Sequence, residues 1–439
     1  MKNVLMIVVD GIGDEYIDEL GGTPLEFASP ELDTINRMMK EGIGGLHWTV
    51  KPGIPPSSDK AHLSLFGYDI EKLKVGRGVF EALGAGVKLE KKDVAFRANF
   101  ATVTKRDDKL IVDDRRAGRI AGDDAEKLEK VLKKEIEKEE LPAFFKHTVE
   151  HRGVLVIKGN RFSGEVSDID PHHVGDPVLA PQPLARVEGE EKEKAKNTCS
   201  LLEKMFKTFH KRLDTHPINK KRKEKGQKPA NALLLRGGGT MSEVPSFHEK
   251  WGMNAVYTAE AALYKGVASF LGMKSLTVEG KLDFSGENVR VRMKKALDVL
   301  HGDVDFLFFH IKLADNFSHS KKPRKKAEYL QNVDQSLKSL LEEENLLVIL
   351  TGDHSSSSRR GRHTGMPVPL LFWGGTPRDA CKKFNERELA EKGGLGIVSG
   401  TDIMPIALDL SDRVEELGIR ADPTLPYYKK RGNHYMEIT

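Results

Sequence analysis

Leu346-Leu347-Val348-Ile349-Leu350-Thr351-Gly352-Asp353-His354-Ser355 is an apolar run that stops on an acid and a histidine. A short uninterrupted apolar run bounded by turn residues has the character of a strand covered on both faces. The turn after it can aim both Asp353 and His354 at one place. The same grammar recurs along the chain. Residues 4–9 are apolar and end on Asp10, and 304–311 lead into Asp315-Asn316-Phe317-Ser318-His319. Arg362-His363-Thr364 immediately precedes the run 368–373, and 232–235 end on Arg236-Gly237-Gly238-Gly239. Acids and histidines at the exits of buried strands stand where open α/β sheets hold their ligands. The expected fold class is therefore α/β with a mostly parallel sheet and a ligand-bearing edge.

At 439 residues the chain has room for two domains, or for one large domain carrying an insertion. Buried-strand character stops near residue 87 and resumes near 230, which suggests a core of 1–87 and 230–439 interrupted by an α+β domain of 88–229. The glycine-rich piece 76–86 marks the first boundary, and the Lys/Glu-rich stretch 186–228 precedes the second. Within the core, Ser29 before Pro30 reads as the cap of a helix running to Glu41. A Pro/Gly/Ser-rich loop at 51–58 leads into a short helix over 59–66.

Charge is heavy but balanced, 70 basic against 66 acidic residues for a net +4, which is not the footprint of a nucleic-acid binder. Two cysteines, Cys199 and Cys381, are too few for a disulfide framework and lack the spacing of a zinc site. The first apolar run is too short for a secretory h-region, and no stretch reaches membrane-spanning length. A cytoplasmic protein without membrane or nucleic-acid partners is expected; a homo-oligomer is compatible with the sequence. The run 321–326, Lys-Lys-Pro-Arg-Lys-Lys, reads as the solvated start of a helix rather than a targeting patch.

Asp315 and His319 are four apart, so one helical turn puts both on one face. With Asp10, Asp353, His354 and His363 they make a mixed carboxylate–imidazole set suited to Mn²⁺, Zn²⁺ or Mg²⁺. Two such ions are the clamp used on attacking and leaving oxygens in phosphoryl transfer. Ser58 is the candidate nucleophile, at the junction of a loop and a helix N-terminus that favours an anion. Ser57-Ser58-Asp59 also reads as an ordinary helix cap. Arg97 and the group Arg115, Arg116 and Arg119 offer planar forks for phosphate and carboxylate, or else form a solvated basic turn. Arg236 precedes three glycines that permit close approach of an anion, and Lys312 lies just before Asp315. The segment 168–176, Asp-Ile-Asp-Pro-His-His-Val-Gly-Asp, reads as a structured turn and is assigned no metal. Neither a dinucleotide fingerprint nor a P-loop is present.

Taken together, Val8-Val9-Asp10-Gly11, Gly22-Thr23-Pro24-Leu25-Glu26, Ser58-Asp59-Lys60-Ala61-His62-Leu63, the stretches 76–86 and 94–102, Arg115-Arg116-Ala117-Gly118-Arg119-Ile120, Ser167-Asp168-Ile169-Asp170-Pro171-His172 and Thr351-Gly352-Asp353-His354-Ser355 are highly specific. The chain resembles, almost end to end, the archaeal-type cofactor-independent phosphoglycerate mutases of the alkaline phosphatase superfamily. The resemblance implies interconversion of 3-phosphoglycerate and 2-phosphoglycerate, a glycolytic and gluconeogenic step, without 2,3-bisphosphoglycerate. It implies that Ser58 is phosphorylated, with one metal on Asp10, Ser58, Asp353 and His354 and the other on Asp315, His319 and His363. Two divalent ions are implied, Mn²⁺ first, with Mg²⁺, Co²⁺ or Zn²⁺ as alternatives. The chain departs from the family's pattern at Pro55, Ser57, Ser318, Ser356-Ser357, Arg362 and Met366, neighbours that orient ligands rather than bind. A phosphomonoesterase on the same core, or a metal-bearing scaffold without chemistry, is the rival expectation.

Overall fold

The computed structural model describes residues 1–414 and 416, apart from 74, 279 and 281. The chain divides into two compact units, Met1–Lys72 with the chain from Val244 onward, and Leu73–Glu243.

The first unit is built on an eight-stranded sheet in the order Ile397–Ser399, Ile43–Trp48, Val368–Trp373, Leu346–Thr351, Asn3–Val9, Phe306–Ile311, Ala255–Thr258, Lys274–Ser275. The strands from Leu346–Thr351 to Lys274–Ser275 are parallel neighbours, whereas Val368–Trp373 runs antiparallel to both of its neighbours. Helices lie on the sheet, which is why its central strands are apolar without alternation. Leu5, Ile7 and Val9 share a fully buried cluster with Met38, Met293, Leu330 and Val333, residues of three covering helices. Burying each such side chain contributes about 1.5–3 kcal/mol. Register then does the positioning: Val9 lies beside Ile311, and Val8 beside Thr351. The three central strands therefore end level, and Asp10, Lys312 and Gly352-Asp353 leave the sheet at one edge.

The second unit holds a sheet in which Val94–Arg106 is the central strand. It pairs antiparallel with Lys109–Asp114, Arg152–Ile157 and Ala232–Thr240, and Ala143–His147 pairs with Arg152–Ile157. The helices Gly122–Lys138 and Gly189–Asp214 supply Leu128, Leu132, Leu202 and Phe209 to its core.

The boundaries near 87/88 and 229/230 thus move outward. The run 232–235 belongs to the second unit's sheet, because Ala232–Thr240 is hydrogen-bonded along Val94–Arg106. The glycine-rich piece is a packing device rather than a linker. A Cβ on Gly76 would stand 2.0 Å from the Gly238 carbonyl oxygen, and one on Gly78 would stand 2.1 Å from that of Ala95. Only glycine lets the helix Arg77–Gly84 lie this close to the strands. Smaller shifts concern the first unit's helices. Ser29-Pro30-Glu31 forms a separate 3-10 turn, and the α-helix begins at Asp33. The short helix over 59–66 spans Ser58–Leu65.

Candidate metal centre

Three segments leave the sheet edge and converge. Asp10 follows Asn3–Val9, Asp353 and His354 follow Leu346–Thr351, and Asp315 sits in the helix Leu313–His319 after Phe306–Ile311. His363 arrives differently from the sequence expectation. Arg362–Thr364 is itself a short strand, paired with Ser355–Ser357 in a two-stranded ribbon that folds it back over His354. The His354 and His363 rings stack with centroids 3.6 Å apart.

Two ligand groups result, Asp10 with Asp353 and His354, and Asp315 with His354 and His363. His354 is thus close to both groups, where the resemblance had assigned it to one. Its Nε2 lies 3.5 Å from Asp10 Oδ1 and 3.2 Å from Asp353 Oδ2. His319, about half exposed, brings Nε2 to 3.4 Å from Asp315 Oδ1, and His363 Nε2 stands 3.7 Å from the same oxygen.

The outward nitrogen of each histidine is engaged. Nδ1–H of His319 donates to the Gly361 carbonyl at 2.9 Å, and that of His363 to the Pro56 carbonyl at 3.0 Å. His354 Nδ1 meets Ser356 Oγ at 3.1 Å. Such partners fix the tautomer that leaves Nε2 unprotonated and pointing inward. Asp10 Oδ1 and Asp353 Oδ2 are buried with no hydrogen-bond partner among the described residues. Buried carboxylate oxygens without partners are costly unless a cation meets them. The donor set, oxygen and imidazole without thiolate, suits divalent Mn, Mg, Co or Zn.

Electrostatics agree. Burial works to raise the Asp10 carboxyl, but Lys312, with His310 and His354, holds it well below its usual range. Burial works to lower His354, and Asp353, Asp10 and Asp315 outweigh it, so the imidazole titrates above its ordinary value. The acids attract a positive charge of whatever kind is present. Lys312 Nζ, which the sequence suggested for substrate, bonds Asp10 Oδ2 at 2.9 Å and also reaches Asp315.

Ser58 is the first residue of its helix, buried, with Oγ 3.5 Å from His354 Nε2. Ser57 occupies the capping position, but its side chain makes no capping hydrogen bond, so the cap reading explains neither serine. One turn on, His62 Nδ1–H donates to the Ser58 carbonyl at 2.7 Å and stands 3.7 Å from Asp353 Oδ2.

Several buried residues around the centre escaped the sequence reading. The Tyr264 hydroxyl donates to Asp10 Oδ2, and its ring stacks on His310, whose Nε2 is 3.3 Å from the same oxygen. Lys326 was read as part of a solvated run, yet it is fully buried and bonds Asp14 Oδ2 at 2.9 Å. A signal for it existed: with Ala327, Leu330 and Val333 it follows the spacing of a helix's inward face. No pattern announced Tyr264.

The second unit holds the arginines. Arg97 lies inside the strand Val94–Arg106, directly across from Arg236. Arg97 Nη1 meets Glu81 at 3.1 Å. Burial pushes its guanidinium down to about 9, against the pull of Glu81, while Arg236, Arg77 and Arg152 push the same way. Arg97 Nε and Arg236 Nε are buried without a hydrogen-bond partner among the described residues, although Arg236 Nε stands 3.9 Å from Asp170 Oδ2. Arg115 forks onto Asp170 at 2.9 and 2.6 Å, and Arg116 and Arg119 are exposed. The segment 168–176 therefore serves to hold arginine and backbone: Asp170 takes Arg115, and Asp168 accepts the Gly237 N–H at 2.7 Å.

Among the described residues no helix is long and apolar enough to cross a membrane. Residues 40–219 match the 2,3-bisphosphoglycerate-independent phosphoglycerate mutase family. The Pyrococcus furiosus protein of that name is 41% identical over 422 residues, 94% of this chain and 98% of its own. A solved Pyrococcus horikoshii protein superposes with a TM-score of 0.79 at 33% identity, covering 95% of this chain and 99% of its own. The solved cofactor-independent phosphoglycerate mutase of Thermoplasma acidophilum gives 0.65 at 31% identity, covering 94% and 100%. With likeness of this depth over nearly the whole length of both chains, the protein belongs to the 2,3-bisphosphoglycerate-independent phosphoglycerate mutase family.

Proposed function

We propose that this isomerase interconverts 3-phosphoglycerate and 2-phosphoglycerate through a phosphoserine at Ser58, with two divalent ions, Mn²⁺ foremost, as its resident cofactors. The observation that carries the reading is the set of three histidines whose Nδ1 atoms are engaged outward while their Nε2 atoms converge on Asp10, Asp315 and Asp353. Asp10, Ser58, Asp353 and His354 would hold one ion and Asp315, His319 and His363 the other, with His354 near both. When bound, the ions supply charge neutralisation for phosphoryl oxygens and lower the pKa of a nearby hydroxyl.

The chain's own groups do the rest. Ser58 Oγ takes the phosphoryl group from one hydroxyl of the glycerate, which gains a proton as it leaves. After the glycerate turns, its other hydroxyl takes the phosphoryl group back and Ser58 is regenerated. Backbone N–H groups at the start of the Ser58–Leu65 helix favour the anion at this position. Arg97, Arg115, Arg116, Arg119 and Arg236 are proposed to bind the phosphoglycerate carboxylate and phosphate through charge-assisted hydrogen bonds. Lys312, seated on Asp10 and Asp315, is proposed to meet the phosphoryl group.

The test is conversion of 3-phosphoglycerate with Mn²⁺ in the absence of any bisphosphoglycerate, by the native chain and by Ser58→Ala. The native chain should turn over and should acquire phosphate on Ser58; the variant should bind Mn²⁺ yet transfer nothing. Wild-type turnover by Ser58→Ala refutes the phosphoserine route.

A further inference from the structure

Between the two ligand groups stands a residue that neither contains. Ser356 is fully buried in the strand Ser355–Ser357. Its Oγ donates to Asp315 Oδ1 at 2.8 Å and lies 3.1 Å from His354 Nδ1. A hydroxyl has one proton to give. Because that proton goes to Asp315, the contact with His354 must be Nδ1–H donating to Oγ. A directed chain results, from His354, which lies in both ligand groups, through Ser356 to Asp315, which lies in one.

The backbone of Ser356 is clamped on both sides. Its N–H donates to the Gly13 carbonyl at 2.9 Å, and its carbonyl accepts from the buried Lys326 Nζ at 3.3 Å. Lys326 also holds the Gly13 carbonyl, at 3.1 Å, so the loop after Asp10 and the ribbon carrying Ser356 share one anchor. Room for the hydroxyl comes from Gly11, whose φ is +67°; a Cβ there would stand 2.8 Å from Ser356 Oγ and 3.1 Å from Asp315 Cβ. Glycine is required both for the left-handed backbone and for the space.

We propose that Ser356 is a positioning residue that couples the two metal sites: one hydroxyl holds His354 in the tautomer that presents Nε2 and orients the Asp315 carboxylate. The inference rests on the two-metal reading above and adds that the sites gain or lose affinity together. Removing the hydroxyl releases both His354, shared by the two groups, and Asp315, a ligand of one.

The experiment uses the full-length chain stripped by chelation and titrated with Mn²⁺ alone, by calorimetry and by electron paramagnetic resonance. Ser356→Thr and Ser356→Val have nearly the same volume and differ in the hydroxyl. Threonine should bind within about threefold of the native chain, while valine should lose roughly 10–100-fold affinity at both sites, the range for partners that orient ligands. Ser356→Ala, which removes the hydroxyl without adding bulk, should reproduce the valine result and keeps the test valid should valine not fold. Equal Mn²⁺ affinity in the threonine and alanine variants overturns the proposal, as does a loss confined to one site. A native chain that binds fewer than two Mn²⁺ ions refutes the two-metal reading itself, independently of what the variants do.

Discussion

Replacing Lys326 with methionine keeps most of the side chain's volume and removes a fully buried ammonium. The perturbation lands on Asp14, whose carboxylate is as buried as its partner. Without Lys326, Asp14 retains N–H donors from Glu15 at 2.8 Å and Ser358 at 2.9 Å, and the Ser358 hydroxyl at 2.6 Å. It loses its only cationic hydrogen-bond partner among the described residues, at 2.9 Å. Removing one member of a buried pair costs about 3–5 kcal/mol, because the remaining charge is left uncompensated. Combining Lys326→Met with Asp14→Asn should recover most of this. The amide oxygen can accept from both N–H groups, and its NH₂ can donate to Ser358 Oγ, so no charge stays buried. The double variant should stand within roughly 1–2 kcal/mol of the native chain. Urea unfolding of the metal-free protein, followed by tryptophan fluorescence, measures both. All 3 tryptophans, Trp48, Trp251 and Trp373, belong to the first unit, so the signal reports the unit that contains the pair. A loss below about 1 kcal/mol in Lys326→Met, or a double variant no more stable than the single, would refute the buried-charge argument.

Asp334 supplies a pH dependence remote from the metal centre. Burial pushes its carboxyl up to about 6, although the Ile35 and Thr34 N–H groups bind it. Because the folded pKa lies above the unfolded one, stability should fall as pH rises from about 4 to 6, by roughly 3 kcal/mol at most, and level off above. Asp334→Asn should remove that slope from the metal-free chain; an identical pH profile in both proteins contradicts it. In the second unit, replacing Arg115 and Arg116 together by glutamine should depress mutase turnover more than hydrolysis, raising the share of turnovers that release inorganic phosphate. Holding the acceptor close is worth roughly 7–11 kcal/mol of barrier in well-oriented cases, so its loss lets water compete. An unchanged product ratio at an unchanged rate assigns retention to other residues.

The readings that succeeded from sequence were local ones. A strand buried on both faces needs a continuous apolar run, and the polar residue that ends the run marks where the chain leaves the sheet. Asp10, Asp315, Asp353 and His354 could therefore be placed on one edge before any packing was known, and Asp315 and His319 on one helix face. The larger shift, in the unit boundaries, depended on pairing between distant segments. Nothing local in residues 232–240 says that they hydrogen-bond to 94–106 rather than join the first unit's sheet.

The same division runs through the candidate site. Sequence by itself determined the fold class, most of the apolar runs that form strands and the acids and histidines at their ends, because periodicity and chain exits are written residue by residue. Tertiary structure decided the rest. It folded the ribbon that stacks His363 on His354, placed one hydroxyl between the ligand groups, and buried the Lys326 ammonium against Asp14 within a run of exposed-looking charge. Those outcomes depend on which polar atoms meet after the core closes. A hydrogen bond is set by the separation and direction of two groups in space, and neither can be read from their order along the chain.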